Sequence, residues 1–205
     1  SLLFIGILLG IGCIRFKESL PTEKRSKTGV FATFRSFGII VHNRRYMLYV
    51  LQLAFAQGIL FAYIASSPFI IQQHYGFSPF AFSICFAVNA VAIGVAAAIS
   101  VKFRRTENGT LTGCIGMLVF AILQMAALYS GCGFWTYELL MFALLFMMGL
   151  TFTASTTLAM DCERRYAGAA SALLGALCFA SGGIVSPLVG LGDILLSTGV
   201  TFVVC

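Results

Sequence analysis

Charged side chains are what this sequence has least of. They make up 10% of 205 residues, only seven of them acidic, while hydrophobic residues reach 60%. A domain that folds in water carries roughly 25% charged residues. Surface shrinks too slowly with size for a chain of this length to hide so much apolar area from water. A water-soluble globular fold is therefore excluded, and lipid is the solvent this composition fits. Also missing is any Cys-x-x-Cys spacing among the seven cysteines, which read as small apolar filler. No phosphate loop and no nucleophile–base pair is found, so enzyme chemistry and a cofactor have no support.

What the sequence does have is long apolar runs. A spanning helix needs roughly 20 mostly apolar residues. Five segments qualify, at about residues 46–71, 79–101, 110–130, 134–158 and 166–190, none with a charge in its central part. The runs are continuous rather than alternating, which argues for helices over barrel strands. Shorter apolar runs lie at residues 1–14 and 193–205, and no Met begins the chain. We read both as membrane helices truncated by the chain ends. A signal peptide is the alternative at the N-terminus, disfavoured because no basic region precedes the run.

Positive charge sets the topology. Residues 15–45 hold eight Lys and Arg; Lys102, Arg104 and Arg105 follow the second span, and Arg164 and Arg165 follow the fourth. The turns at 72–78, 131–136 and 191–192 hold none. All 13 basic residues thus fall on one side, which the positive-inside rule makes cytoplasmic. The net charge of +6 is accounted for by topology, so the partner is the lipid bilayer and no nucleic acid is expected. His42 and His74 then lie on opposite sides, and no metal site follows.

Residues 15–45 read as a basic cytoplasmic linker. Phe31, Phe34, Phe37 and Val41 recur there at helical spacing beside Arg35, which suits an interfacial amphipathic helix; an ordinary linker is the alternative. Residues 46–205 read as a transmembrane bundle. A long basic segment followed by six hydrophobic segments is the layout of a transporter half built from three-plus-three inverted repeats. Gly58-x-x-Phe61 in the first span returns as Gly149-x-x-Phe152 in the fourth, three helices on, although a match this short can arise by chance.

Longer strings carry a resemblance. AYIASSPFII at 62–71 followed by QQHYGFS at 72–78, FSICFAVNA at 82–90, ESLP at 18–21, AGAASALLG at 167–175 and GGIVSPLVG at 182–190 resemble the bicyclomycin-resistance (Bcr/CflA) family of drug:proton antiporters, within the major facilitator superfamily. The resemblance covers nearly the whole chain, in the family's order. It implies an all-α membrane protein, the C-terminal six-helix half of such a transporter, truncated at both ends. It implies a bacterial inner (plasma) membrane, multi-pass location. The implied partners are a drug-like small molecule, protons and a missing N-terminal half that holds the proton-carrying acid. One departure is KFRRT at 102–106, which lacks the Asp of the family's loop motif. Lys102, Arg104 and Arg105 are therefore read as loop anchors, with a gating role as the alternative.

Polar residues inside spans mark candidate sites, because an amide facing lipid is costly. Gln52, Ala56 and Tyr63 share one face of the first span; Phe82, Phe86, Asn89 and Ile93 share one face of the second. Gln52, Tyr63, Phe86 and Asn89 are the candidate substrate-binding residues, an aromatic wall with amide hooks for a bulky, partly apolar molecule. Interhelical hydrogen bonding is the alternative, and Gln124 is read that way. Gly168, Ser171, Gly175, Cys178, Gly182 and Ser186 form a small-residue stripe that lets helices approach closely. Gly182, Gly183 and Pro187 weaken the same helix near its outer end, where gating would bend it. Glu138 and Asp193 read as boundary residues near helix N-termini, and Asp161 and Glu163 as partners of the adjacent arginines or of water.

Two functional classes follow. One is a secondary transporter that exports small molecules by proton antiport with alternating access. The other is a non-transporting helical scaffold, or the remnant of a broken transporter gene.

Overall fold

The structure is a computed structural model and describes residues 2–15, 30–103 and 105–205. Most of the basic linker, residues 16–29, lies outside the described residues, as does the loop anchor Arg104. The chain divides into two units, Ser1–Phe34 and Arg35–Cys205. The first contains α1 (Leu2–Arg15), whose Ile5, Ile7, Leu8, Leu9 and Ile11 are exposed. Helix α2 (Val30–His42) begins in the first unit and ends in the second.

The second unit is a helical bundle. It contains α3 (Arg44–Pro68), α4 (Pro79–Ser100), α5 (Thr106–Tyr129), α6 (Phe134–Cys162), α7 (Ala167–Val189) and α8 (Ile194–Val204). Among the described residues there is no strand, and five helices are long and apolar enough to cross a membrane; α8 is a shorter apolar helix. The protein is thus an all-α, multi-pass membrane protein.

Local chemistry sets where these helices start and stop. Asn43 accepts from the backbone N–H groups of Arg45 and Tyr46 and so caps α3. Ser78 caps α4 ahead of Pro79, which needs no backbone donor in the first turn. Asp193 caps α8, as its reading as a boundary residue anticipates. Each outer turn contains a glycine in the left-handed region, Gly76, Gly131 and Gly192, with φ of 71°, 68° and 83°. A side chain is strained there, and Gly is not. Pro68 lacks an N–H and interrupts the ladder of α3. The chain passes it by widening into a π-helical turn, Phe69–His74.

Lipid gives no hydrophobic drive between helices, so contact quality and backbone approach hold such a bundle together. Helix α6 is central and packs on α3, α4 and α5, while α7 packs on α3 and α8 on α5. Its contacts are close where glycine allows. A Cβ at Gly149 would sit 2.6 Å from the Ile93 carbonyl oxygen on α4, and one at Gly113 would sit 2.9 Å from the Met147 carbonyl oxygen on α6. The main core gathers Ile59, Tyr63, Met141, Leu144, Leu145, Met148 and Phe202. A second cluster of Ile40, Tyr46, Val50, Ala159 and Ala170 closes the inner end. Outward faces stay apolar, with Leu48, Val91, Leu111, Ile115, Phe179 and Ile184 exposed. Tyr129 and Trp135, at the outer ends of α5 and α6, are 83% and 80% exposed, the position of an interfacial aromatic belt.

Candidate functional site

Tyr63, Phe86 and Asn89 converge where α3, α4 and α6 meet. Asn89 is midway along α4 and fully buried. Its Nδ2 donates to the Tyr63 hydroxyl at 3.1 Å and to Glu138 Oε1 at 2.8 Å. The Tyr63 and Phe86 rings stack, with centroids 5.6 Å apart and planes 11° from parallel. Phe82 continues this aromatic face at 5.8 Å from Phe86. Tyr63 is buried and Phe86 is exposed, so the stack has a closed side and an open side. Asn89 Oδ1 and Glu138 Oε2 are enclosed and have no hydrogen-bond partner.

Glu138 is the member that sequence reasoning set aside. It lies one turn into α6, where spacing alone marks a boundary residue. The packing of α6 on α4 instead brings its carboxyl to mid-helix Asn89. An asparagine buried in an apolar span signals that some partner exists, but not which helix supplies it.

Gln52 is not brought to this cluster. Its Oε1 accepts from Ser155 at 2.7 Å, and Ser155 is 3.2 Å from Thr110, linking α3, α6 and α5. Gln52 also borders an apolar groove of about 390 Å³ lined by Leu51, Phe55, Cys114 and Phe202. Gln124 is fully buried, with neither amide atom paired.

The small-residue stripe of α7 is used in part. Gly182 faces the Phe61 ring, which a Cβ would strike, and Cys178 is buried. A Cβ at Gly168, Gly175 or Gly183 would meet nothing within 4 Å, and Ser171 is exposed. Close approach along the whole stripe is therefore corrected to its outer half, because lower α7 packs on α3 through Ala170 and Leu174 and leaves Gly168, Ser171 and Gly175 without a close neighbour. Pro187 is exposed and borders an outer groove of about 630 Å³ with Phe69, His74 and Ser186.

Further polar contacts tie the two ends. At the inner end Asn43 Nδ2 donates to Glu163 Oε1 at 2.7 Å, and the Tyr46 hydroxyl donates to the Ala170 carbonyl at 2.6 Å. Asp161 pairs with Arg164 at 2.9 Å, whereas Glu163 is held by Asn43 rather than by an arginine. Lys102 and Arg105 are exposed beside this end. At the outer end Tyr75 donates to the Cys132 carbonyl at 2.9 Å. Burial pushes its phenol above the ordinary value, and the neighbouring Cys132 adds to the shift.

The Major Facilitator Superfamily model matches residues 1–187. The chain belongs to the major facilitator superfamily. The chain is also 36% identical over 197 residues to the uncharacterized MFS-type transporter YdgK of Bacillus subtilis (strain 168), a match covering 94% of this chain and 49% of that protein. It thus spans about half the length of the curated relative it matches. No solved structure matches it.

The major facilitator architecture gives the Gly58 and Gly149 echo a physical content. Helix α4 packs on α6 as α7 packs on α3. Gly149 faces Ile93 of α4, and Gly58 faces Val185 of α7 at 3.3 Å from its would-be Cβ. Each glycine opens a contact to a helix of the other set of three, and at Gly58 the Cys205 Sγ, at 3.1 Å from the would-be Cβ, shares the space.

Proposed function

We propose that this major facilitator protein exports partly apolar small molecules by proton antiport, across a bacterial inner membrane, with the chain forming the C-terminal half. The observation that supports this reading best is the Tyr63–Phe86 stack with Asn89 at its edge. Flat aromatic faces take many drug-like bodies without fine shape selection, and one buried amide orients them. Tyr63, Phe86 and Asn89 are this half's substrate contacts. Gln52 stabilises the inner half through Ser155 and adds a polar point to the path during the inward-open stage.

Alternating access needs a second half to rock against. The inner contacts Asn43–Glu163 and Tyr46–Ala170 keep α3 and the α6–α7 turn moving together within this half. The open face of lower α7, with exposed Gly168 and Ser171 and half-buried Gly175, is a surface on which the other half slides. Gly183 and Pro187 supply the bend at its outer end.

The test uses inside-out vesicles carrying the full-length protein, with Nile red as a neutral aromatic probe and ethidium as a cationic one. An acid-inside pH gradient drives accumulation of at least one of them, and Phe86→Ala weakens it. Absence of any gradient-dependent accumulation of either dye, from protein shown to be in the membrane, rejects the reading.

A further inference from the structure

The resemblance places the proton-carrying acid in the other half, yet this half encloses a carboxyl of its own. We propose that Glu138 is a proton-carrying group of this transporter and that Asn89 links its ionisation to Tyr63 and the aromatic face. This rests on the proton-antiport reading above.

Three observations converge on it. First, Glu138 Oε1 accepts from Asn89 Nδ2 at 2.8 Å, but Oε2 is enclosed and has no donor. A carboxylate with one oxygen buried and unpaired lacks compensation for its charge. A proton on Oε2 removes that deficit. Second, among the described residues no cation faces it. The titratable groups around it are Tyr63 from α3, Cys85 from α4 and its neighbour Tyr137 on α6, whose hydroxyl is itself unpaired. The described basic residues Arg44, Arg45, Lys102, Arg105, Arg164 and Arg165 lie at the opposite ends of the helices, and His74 borders the outer groove between α3 and α7 instead. Third, the same Asn89 amide bonds both Glu138 and Tyr63. An ionised carboxylate holds that amide more strongly than a neutral acid does, because charge-assisted hydrogen bonds are the stronger kind. Gaining or losing the proton therefore changes the hold on Asn89 and, through it, on the Tyr63–Phe86 stack.

The step balances simply. While Oε2 stays shut off from any donor, the carboxyl carries the proton. When helix movement admits water from the inner side, the proton leaves Oε2 to water, and when the outer side opens, a proton returns. An ionisable residue inside a membrane bundle is a functional group by default, and here its relay partner is identified.

The experiment compares two readouts on the full-length protein in vesicles: accumulation of Nile red or ethidium driven by a pH gradient, and dye exchange at equal pH. E138Q is expected to lower the ratio of driven accumulation to exchange by an order of magnitude or more, and E138D to restore part of it. E138Q with driven accumulation and the pH profile of the wild type overturns the proposal. Should E138Q fail to reach the membrane, Asn89→Leu decides: removing the donor to Oε1 displaces the pH profile of accumulation, and an unmoved profile overturns the proposal. A wild-type protein that accumulates dye without any response to the gradient rejects the antiport reading itself, which separates the two failures.

Discussion

Asn89 and Glu138 are 49 residues apart, and their side chains meet at 2.8 Å between α4 and α6. One residue is midway along its helix and the other is a turn from the start of its own. The contact exists because α6, the hub of the bundle, lies against α4 at Gly149 with almost no side chain between the backbones. Backbone approach at one level thus sets a polar contact at another.

Asn89→Ala leaves both Glu138 Oε1 and the Tyr63 hydroxyl without their shared donor. Unsatisfied buried polar groups cost about 1–3 kcal/mol. We expect a lower thermal midpoint for the purified full-length protein. The Asn89→Ala/Glu138→Ala double variant should lose less than the sum of the single losses. Additivity of the two losses would show that the contact does not contribute.

Gly149→Val forces a side chain into the Ile93 backbone and should destabilise by about 1–3 kcal/mol, as overpacking does. Gly94→Ala on the outward face of α4 meets open space, so its effect should be smaller and of stabilising sign through helix propensity. Thermal midpoints of the two variants in the same detergent check the contrast.

At the inner end, Asn43 both caps α3 and holds Glu163. Asn43→Ala should cost about 1 kcal/mol from the cap alone. Its signature is local: faster hydrogen exchange in the first turn of α3 and around Glu163, with the Tyr63–Asn89 region unchanged.

Much of this was legible in sequence, and the reason is the solvent. Lipid demands continuous apolar helices with internally satisfied backbones, so spans follow from composition, and loop charge follows from insertion. Asp193 as a cap and Asp161 as an arginine partner are local contacts within a few residues, and spacing finds them. Tyr63, Phe86 and Asn89 were legible as facing residues, because each helix face repeats every three or four positions. Their union with Glu138 was not, since it depends on the level at which two helices cross. Gln52 shares a helix face with Tyr63 by spacing, yet eleven residues separate them along α3, and Ser155 claims it first. The α7 stripe failed in its inner half for a related reason: small residues permit close approach but do not say which neighbour comes.

The topology is open to direct labelling. Ser130→Cys, in the exposed turn between α5 and α6, should react with a membrane-impermeant maleimide on intact cells, and Lys102→Cys should react only after permeabilisation. The reverse pattern would invert the assignment.

Phe86→Ala removes the open half of the stack and should weaken substrate binding by about 0.5–1.5 kcal/mol. Tyr63→Phe keeps the ring and should cost less than Tyr63→Ala. Dye-binding isotherms on purified full-length protein rank the three.

The central claim is that this major facilitator bundle exchanges protons for substrate. Its most direct test is proton flux itself, measured with the pH dye pyranine inside liposomes that hold the purified full-length protein. Addition of Nile red or ethidium should start a pH change in the lumen that needs both protein and dye and collapses in E138Q. A wild-type protein that moves dye while the luminal pH stays constant would contradict the account.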